Sequence, residues 1–164
     1  TVYGFDTSLD SISKVNNTFK NNKHFGGAYT DIKYLEENAG KESIDFIFCC
    51  EVVEHVYDND LYAIFDSAKR LLSKKGLFLI TTPNNERLED NYICNPIDGS
   101  LFHRWQHVRS WNKTSLTKQL EKNGFNVLNT VETNVLWKSK FPKNIYRRFR
   151  YRERLNLFVL SKRK

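Results

Sequence analysis

Ser43-Ile44-Asp45-Phe46-Ile47-Phe48-Cys49-Cys50, running on into Glu51-Val52-Val53-Glu54-His55-Val56, is the stretch on which the fold turns. Its first part is almost continuously apolar, the pattern of a strand buried on both faces, as in a parallel sheet covered by helices. Residues 59–74 follow with Leu61, Ile64, Phe65, Ala68, Leu71 and Leu72 on one helical face. Asp58 or Asn59 is placed to cap the start of this helix and Gly76 to end it. Leu77 to Thr81 is the next buried strand, stopped by Thr82-Pro83-Asn84. A strand, a helix and a strand at this spacing predict a right-handed crossover and a parallel pair.

Working outward, Val2 to Asp6 reads as a short strand with a carboxylate at its C-terminal edge. Ser8 or Asp10 can cap a helix to about Asn21, with Leu9, Ile12, Val15 and Phe19 at helical spacing. His24 to Tyr29 is a weaker strand, followed by Asp31, a helical turn around Leu35, and Gly40 as its end. Beyond Pro83, residues 83–110 form an irregular stretch rich in Asn, Asp, Pro and Gly, long enough to suggest function. Ser110 or Asn112 starts a helix to Asn123, with Leu116 and Leu120 inward. Phe125–Thr133 and Leu155–Leu160 close the chain as strands.

The composition excludes several classes. At 164 residues with 40% hydrophobic and 27% charged side chains, the chain suits one globular domain and needs no disulfide framework. No apolar run reaches the length of a membrane span, and the first residues lack the pattern of a secretory leader. Cys49, Cys50 and Cys94 lack CxxC spacing and read as reduced, buried thiols of a cytoplasmic protein. Charge is unevenly placed: residues 1–137 carry 15 basic and 18 acidic side chains, residues 138–164 carry 11 and one. The basic excess therefore belongs to a segment, in which residues 138–154 alternate Lys and Arg with aromatic rings and could meet an anionic ligand.

Taken in order, Asp45–Val56, the amphipathic helix, Gly76–Asn84, His107-Val108-Arg109 and Leu120–Phe125 resemble the class I S-adenosylmethionine-dependent methyltransferases, most closely those acting on small molecules, quinones or sugars. The resemblance spans residue 1 to about 134. It implies an α/β, Rossmann-like sheet of order 3-2-1-4-5-7-6 ending in an antiparallel pair, in a single domain over residues 1–164 with 138–154 joining the last two strands. In that alignment Val2–Asp6 is strand two and Ser43–Cys50 strand four. The central first strand and its glycine-rich turn would precede Thr1, so the sequence is expected to lack the N-terminal part of its domain.

The resemblance also implies roles for particular residues. Asp6 would accept hydrogen bonds from the ribose hydroxyls of S-adenosylmethionine, the task an acid performs at this position in dinucleotide folds. Helix capping is the plainer role for the same carboxylate. Asp31 would meet the adenine amino group and Ile32 the adenine ring, while Cys49, Cys50 and Glu51 would line the cofactor cleft. His55 or His107 is placed to act as a general base, because an imidazole titrates near neutral pH. Orienting a loop is the alternative for either histidine. Trp105, Arg109 and Trp111 would contact the acceptor, with loop packing as their plainer role.

If a helical turn begins at Glu51, then Glu51 and His55 share a face, with Glu54 adjacent and His107 approaching from the long loop. Two carboxylates and two imidazoles suit a divalent cation. The small-RNA 3′-terminal 2′-O-methyltransferases use such a site, and His107 with Trp111 resembles their pattern. Ser110 stands where those enzymes carry Glu, and Glu-Val-Val-Glu-His also occurs in metal-free methyltransferases. The expectation is methyl transfer without a metal, to a hydroxyl of a small molecule, glycan precursor or sugar nucleotide. A metal-assisted RNA-terminal enzyme and a catalytically silent binding module are the alternatives.

Overall fold

A computed structural model describes residues 1–133 and 156–164; the basic segment 138–154 lies outside the described residues. The chain begins with strand β1 (Val2–Phe5), helix α1 (Leu9–Phe19), β2 (Phe25–Tyr29) and α2 (Ile32–Ala39). It continues through β3 (Ile44–Cys50), α3 (Asp58–Leu71) and β4 (Leu72–Pro83). A short hairpin, β5 (Tyr92–Cys94) and β6 (Leu101–His103), precedes α4 (Lys113–Lys122), β7 (Phe125–Thr133) and β8 (Asn156–Arg163). The long stretch after Pro83 is thus partly ordered: a 3-10 turn at Leu88–Asn91 leads into the hairpin.

β3 pairs in parallel with β4, β4 antiparallel with β8, and β8 antiparallel with β7. β1 and β2 form a separate parallel pair. Read in the family numbering, these are 4-5-7-6 and 2-3, the α/β Rossmann-like topology with its C-terminal antiparallel pair. β1 and β3 are not paired with each other. Their facing edges and α2 and α3 enclose a cavity of about 570 Å³, lined by Val2, Ile44, Phe46, Leu35 and Leu71 among others.

The core lies on the β3–β4–β8–β7 side. Phe65, Phe78 and Phe125 are fully buried and meet with centroids 5.3–6.4 Å apart. Leu61, Leu72, Leu116, Leu120, Leu157 and Val159 surround them at 0% exposure. α4 starts at Asn112, whose side chain accepts the Ser115 N–H while Ser115 Oγ accepts the Asn112 N–H. This reciprocal cap satisfies donors that the first helical turn cannot bond internally.

Several expectations are corrected. β3 is not buried on both faces: Phe46 is 39% and Phe48 67% exposed, because the cavity beside β1 leaves that side uncovered. α3 ends at Leu71, and Tyr57, without a side-chain cap bond, precedes its first turn. Gly76 is therefore no helix cap. It sits within β4, where a Cβ would stand 2.9 Å from the Ile44 carbonyl oxygen, so its role is close strand approach. On α1 only Ile12 is buried; Leu9 and Phe19 are 68% and 45% exposed, since that helix packs mainly against β2. Cys49 is buried, but Cys50 and Cys94 are exposed.

Candidate active site

The C-terminal ends of the parallel strands carry the residues singled out for the cofactor. Asp6 follows β1, and its Oδ1 accepts the Ser8 N–H at 2.7 Å. Ser8 itself caps α1 through Ser11 N–H. Asp31 follows β2 and caps α2 by accepting the Lys33 N–H at 2.8 Å. Each acid thus uses one carboxylate oxygen in its local turn and keeps a second. Ile32 is half-buried beside Asp31 and, with Cys49, reaches the cavity between β1 and β3. Burial pushes the Cys49 thiol up to about 12, which makes it an inert apolar side chain.

No helical turn begins at Glu51, so the condition for Glu51 and His55 to share a helix face is not met. Glu51 takes φ of +53°, a left-handed backbone that its Cβ resists, and the chain turns there instead. The turn is held by Glu51 N–H to the Thr81 carbonyl and by Thr81 Oγ1 donating to Glu51 Oε1. Thr82, the next residue of β4, donates to Glu54 Oε2 at 3.0 Å. Two consecutive threonines at the end of β4 therefore hold the two acids, one exposed and one buried. Glu54 is 1% exposed, its Oε1 has no hydrogen-bond partner among the described residues, and burial raises its pKa to about 6.

His55 points from this turn toward the loop after β6. Its ring meets His107 edge-on, with centroids 4.7 Å apart. Burial first, and the neighbouring His107 second, hold the His55 pKa below its usual value. Single ligand atoms of Glu54, His55 and His107 lie within 4.8 Å of one another. Glu51 is not in that group, so of the four residues considered for a divalent cation three come together. A second group, Glu86, His103 and His107, lies beside the first and shares His107.

Glu86 and His103 went unrecognised in the sequence. Glu86 follows Thr82-Pro83-Asn84 by two positions, and His103 precedes His107 by four, but only the β5–β6 hairpin brings them together. Both side chains are at most 9% accessible.

The acceptor-side residues separate. Trp111 is 7% exposed, and its indole N–H donates to the Val53 carbonyl, which ties the loop to the turn carrying Glu54. Arg109 bonds Asp58 Oδ1 at 2.8 Å and lies over the Trp111 ring. Trp105 is 54% exposed beside the histidines.

A family profile described as "Methyltransferase domain" matches residues 1–130. No curated protein matches significantly in sequence. Among solved structures, a Burkholderia thailandensis 1,6-didemethyltoxoflavin-N1-methyltransferase, with 1,6-didemethyltoxoflavin and S-adenosylhomocysteine bound, aligns with TM-score 0.66 at 11% identity, over 99% of this chain and 61% of its own. S-adenosylmethionine-dependent methyltransferases from Mesorhizobium loti (0.65, 16%) and Clostridium acetobutylicum (0.63, 17%) align over 99% and 98% of this chain and 80% and 74% of theirs. At such identities the likeness is one of fold. Among the described residues no helix is long and apolar enough to cross a membrane.

Proposed function

The chain belongs to the methyltransferase-domain family matched over residues 1–130, and from that premise we propose that it moves a methyl group from S-adenosylmethionine to a hydroxyl of a small molecule, glycan precursor or sugar nucleotide. The observation that carries this reading is the placement of Asp6, Asp31 and Glu51 at the C-terminal ends of β1, β2 and β3, with the Glu54–His55–His107 group on the neighbouring turn and loop. In open α/β sheets ligands bind at that edge.

The donor set fits the cofactor. Asp6 has a carboxylate oxygen beyond the one held by Ser8, suited to ribose hydroxyls. Asp31 and Ile32 offer an acceptor and an apolar face for adenine, and the backbone of Cys49 and Cys50 with Glu51 lines the cleft. Bound S-adenosylmethionine supplies an electrophilic methyl on a sulfonium. The chain's task is to align the acceptor oxygen with it and to hold the proton that leaves. His55 or His107 takes that proton, and Trp105, Arg109 and Trp111 border the acceptor. Residues 138–154 add positive charge for encounter with an anionic acceptor. The reduced cysteines fit a cytoplasmic location.

The cavity between β1 and β3 is proposed to take a parallel strand followed by a glycine-rich turn, since both strands otherwise present unpaired backbone edges to it. The sequence encoded upstream of Thr1 tests this; a native start there would contradict it.

The Glu54–His55–His107 grouping favours one second reading, a metal-assisted RNA-terminal methyltransferase. Calorimetric titration of S-adenosylhomocysteine into the full-length protein, with chelator and then with Mg²⁺ or Mn²⁺, tests both. Binding in chelator supports the first reading, stoichiometric metal held by the cluster supports the second, and no binding under either condition removes both.

A further inference from the structure

Glu86 reaches the edges of two stacked imidazoles, His103 and His107, whose centroids are 4.5 Å apart, with one carboxylate oxygen toward each. The protonation pattern of this array follows from its donors. His103 Nδ1 accepts backbone N–H groups from both Trp105, at 3.3 Å, and His107, at 3.1 Å. A ring nitrogen that accepts carries no proton, so neutral His103 holds its proton on Nε2. That nitrogen faces Glu86 Oε1 at 3.6 Å. The other carboxylate oxygen, Oε2, is in direct contact with His107 Nδ1. Against an ionised carboxylate, which only accepts, a neutral His107 donates from Nδ1 and keeps its lone pair on Nε2.

This pattern argues against a metal at Glu86, His103 and His107, although their ligand atoms lie within 4.8 Å of one another. A histidine that ligates through one nitrogen donates a proton from the other. His103 does the reverse, accepting at Nδ1 and holding its proton on the side that would face the metal. The arrangement is instead that of a carboxylate orienting an imidazole.

The backbone around the dyad is costly to set. Asn85, beside Glu86, has φ of +51°, and Gln106, beside His107, has φ of +59°. Both are held by the loops they join: Asn85 N–H donates to the Trp111 carbonyl at 2.7 Å, and Gln106 N–H to the His103 carbonyl at 2.9 Å. Val108 N–H then donates to the Glu54 carbonyl, which fixes His107 over the buried acid. Left-handed backbone at non-glycine residues persists where the surroundings over-determine it. His55, by contrast, lies 3.9 Å from Glu54 Oε1, beyond hydrogen-bond reach, and its ring bonds the Gln106 backbone, so among the described residues no carboxylate is hydrogen-bonded to it.

We propose that Glu86 is a positioning residue of the transfer site: its carboxylate holds His107 as the Nδ1–H tautomer, so that Nε2 is the base for the acceptor hydroxyl. The proposal rests on the methyl-transfer reading above. As the acceptor oxygen bonds to the methyl carbon and the carbon–sulfur bond breaks toward sulfur, the hydroxyl proton passes to His107 Nε2. The imidazolium so formed lies against the Glu86 carboxylate. Glu86 touches neither reactant.

The test is long-range ¹H–¹⁵N correlation of the imidazoles in the full-length protein labelled at histidine, assigned with His107→Gln. Wild type should show His107 with its proton on Nδ1, and Glu86→Gln should lose that signature. In steady state Glu86→Gln should lower kcat by about 10²-fold with the KM for the methyl donor unchanged. Glu86→Asp should recover part of the tautomer signal and part of the rate. An Nε2–H tautomer of His107 in wild type would overturn the proposal without reference to any variant. So would a full kcat in Glu86→Gln once the tautomer has changed. The spectrum needs no turnover, so absence of methyl transfer in wild type would fail the proposed function while the tautomer was still read.

Discussion

The two sides of the cavity are built differently. On the β3–β4–β8–β7 side, fourteen buried residues form one contiguous core from Cys49 to Val159. On the β1–β2 side the buried hydrophobic residues, among those described, are Ile12, Ala28 and Leu35, and none belongs to that core. Asn16 clamps both backbone groups of Ala28 at 2.9 Å, a polar tether where the other side has rings. The sides are joined through α2 and α3 by Arg70, which forms two hydrogen bonds with Glu36. This difference separates two tasks. The proposed ribose and adenine acids stand on the lightly packed side, and the side chains proposed to handle the proton stand on the rigid one.

The sharpest way to break the comparison is to hollow each side in turn. Phe78→Ala removes a ring at 0% exposure from the centre of the aromatic trio and should cost about 3–5 kcal/mol in urea unfolding. Leu35→Ala should cost about 2 kcal/mol, at the low end for such truncations, because its surroundings are not closed. Equal costs would erase the distinction.

Asp6→Ala should weaken S-adenosylhomocysteine binding by about 1.5–3 kcal/mol, roughly ten- to a hundredfold, while leaving unfolding near wild type. Calorimetry and chemical denaturation read the two separately. Unchanged affinity would remove Asp6 from the site.

Glu54 gives a pH signature to the rigid side. Burial raises its pKa from 4.5 to about 6 in the folded chain, so the folded state keeps a proton that the unfolded state releases. Its contribution is neutral below the unfolded value, turns unfavourable as pH rises through the interval, and is fully unfavourable above the folded one. Relative to wild type, Glu54→Gln should therefore gain about 2 kcal/mol of stability between about pH 4 and about pH 7.5. A gain that does not vary with pH would contradict the buried, ionisable role.

Arg70→Ala should have the smallest effect, about 1 kcal/mol or less, since the pair with Glu36 is solvent-exposed on the arginine side. Its consequence should be local: amide exchange in β1 and α2 should quicken while β4 and β8 stay protected. Uniform quickening would mean that the two sides unfold as one unit.

The rigid side was the more legible in sequence. The apolar run at Ser43–Cys50, the periodic face of α3 and the run at Leu77–Thr81 named their elements and order, because local pattern dictates them. What failed depended on neighbours. Phe46 and Phe48 look buried in a list of apolar residues, and only the open cavity beside β3 exposes them. Gly76 has the spacing of a helix cap, yet the Ile44 carbonyl pressing on it decides its role. In the candidate site, His55 and His107 were legible as imidazoles in a known pattern. Glu86 and His103 were not, because a hairpin and two left-handed residues bring them to His107. The left-handed turn at Glu51 was not legible for the same reason: the contacts that make its backbone conformation tolerable come from β4.

The central claim is methyl transfer to a hydroxyl without a metal, and its most direct test follows tritium from methyl-labelled S-adenosylmethionine. The full-length protein is incubated in chelator with sugar nucleotides and small hydroxylated acceptors, and with a short RNA in parallel. Label should appear on a small acceptor in chelator, and substitution of His107 by Gln should suppress it. Transfer confined to RNA and dependent on Mn²⁺ or Mg²⁺, or no transfer to any hydroxyl, would contradict the account.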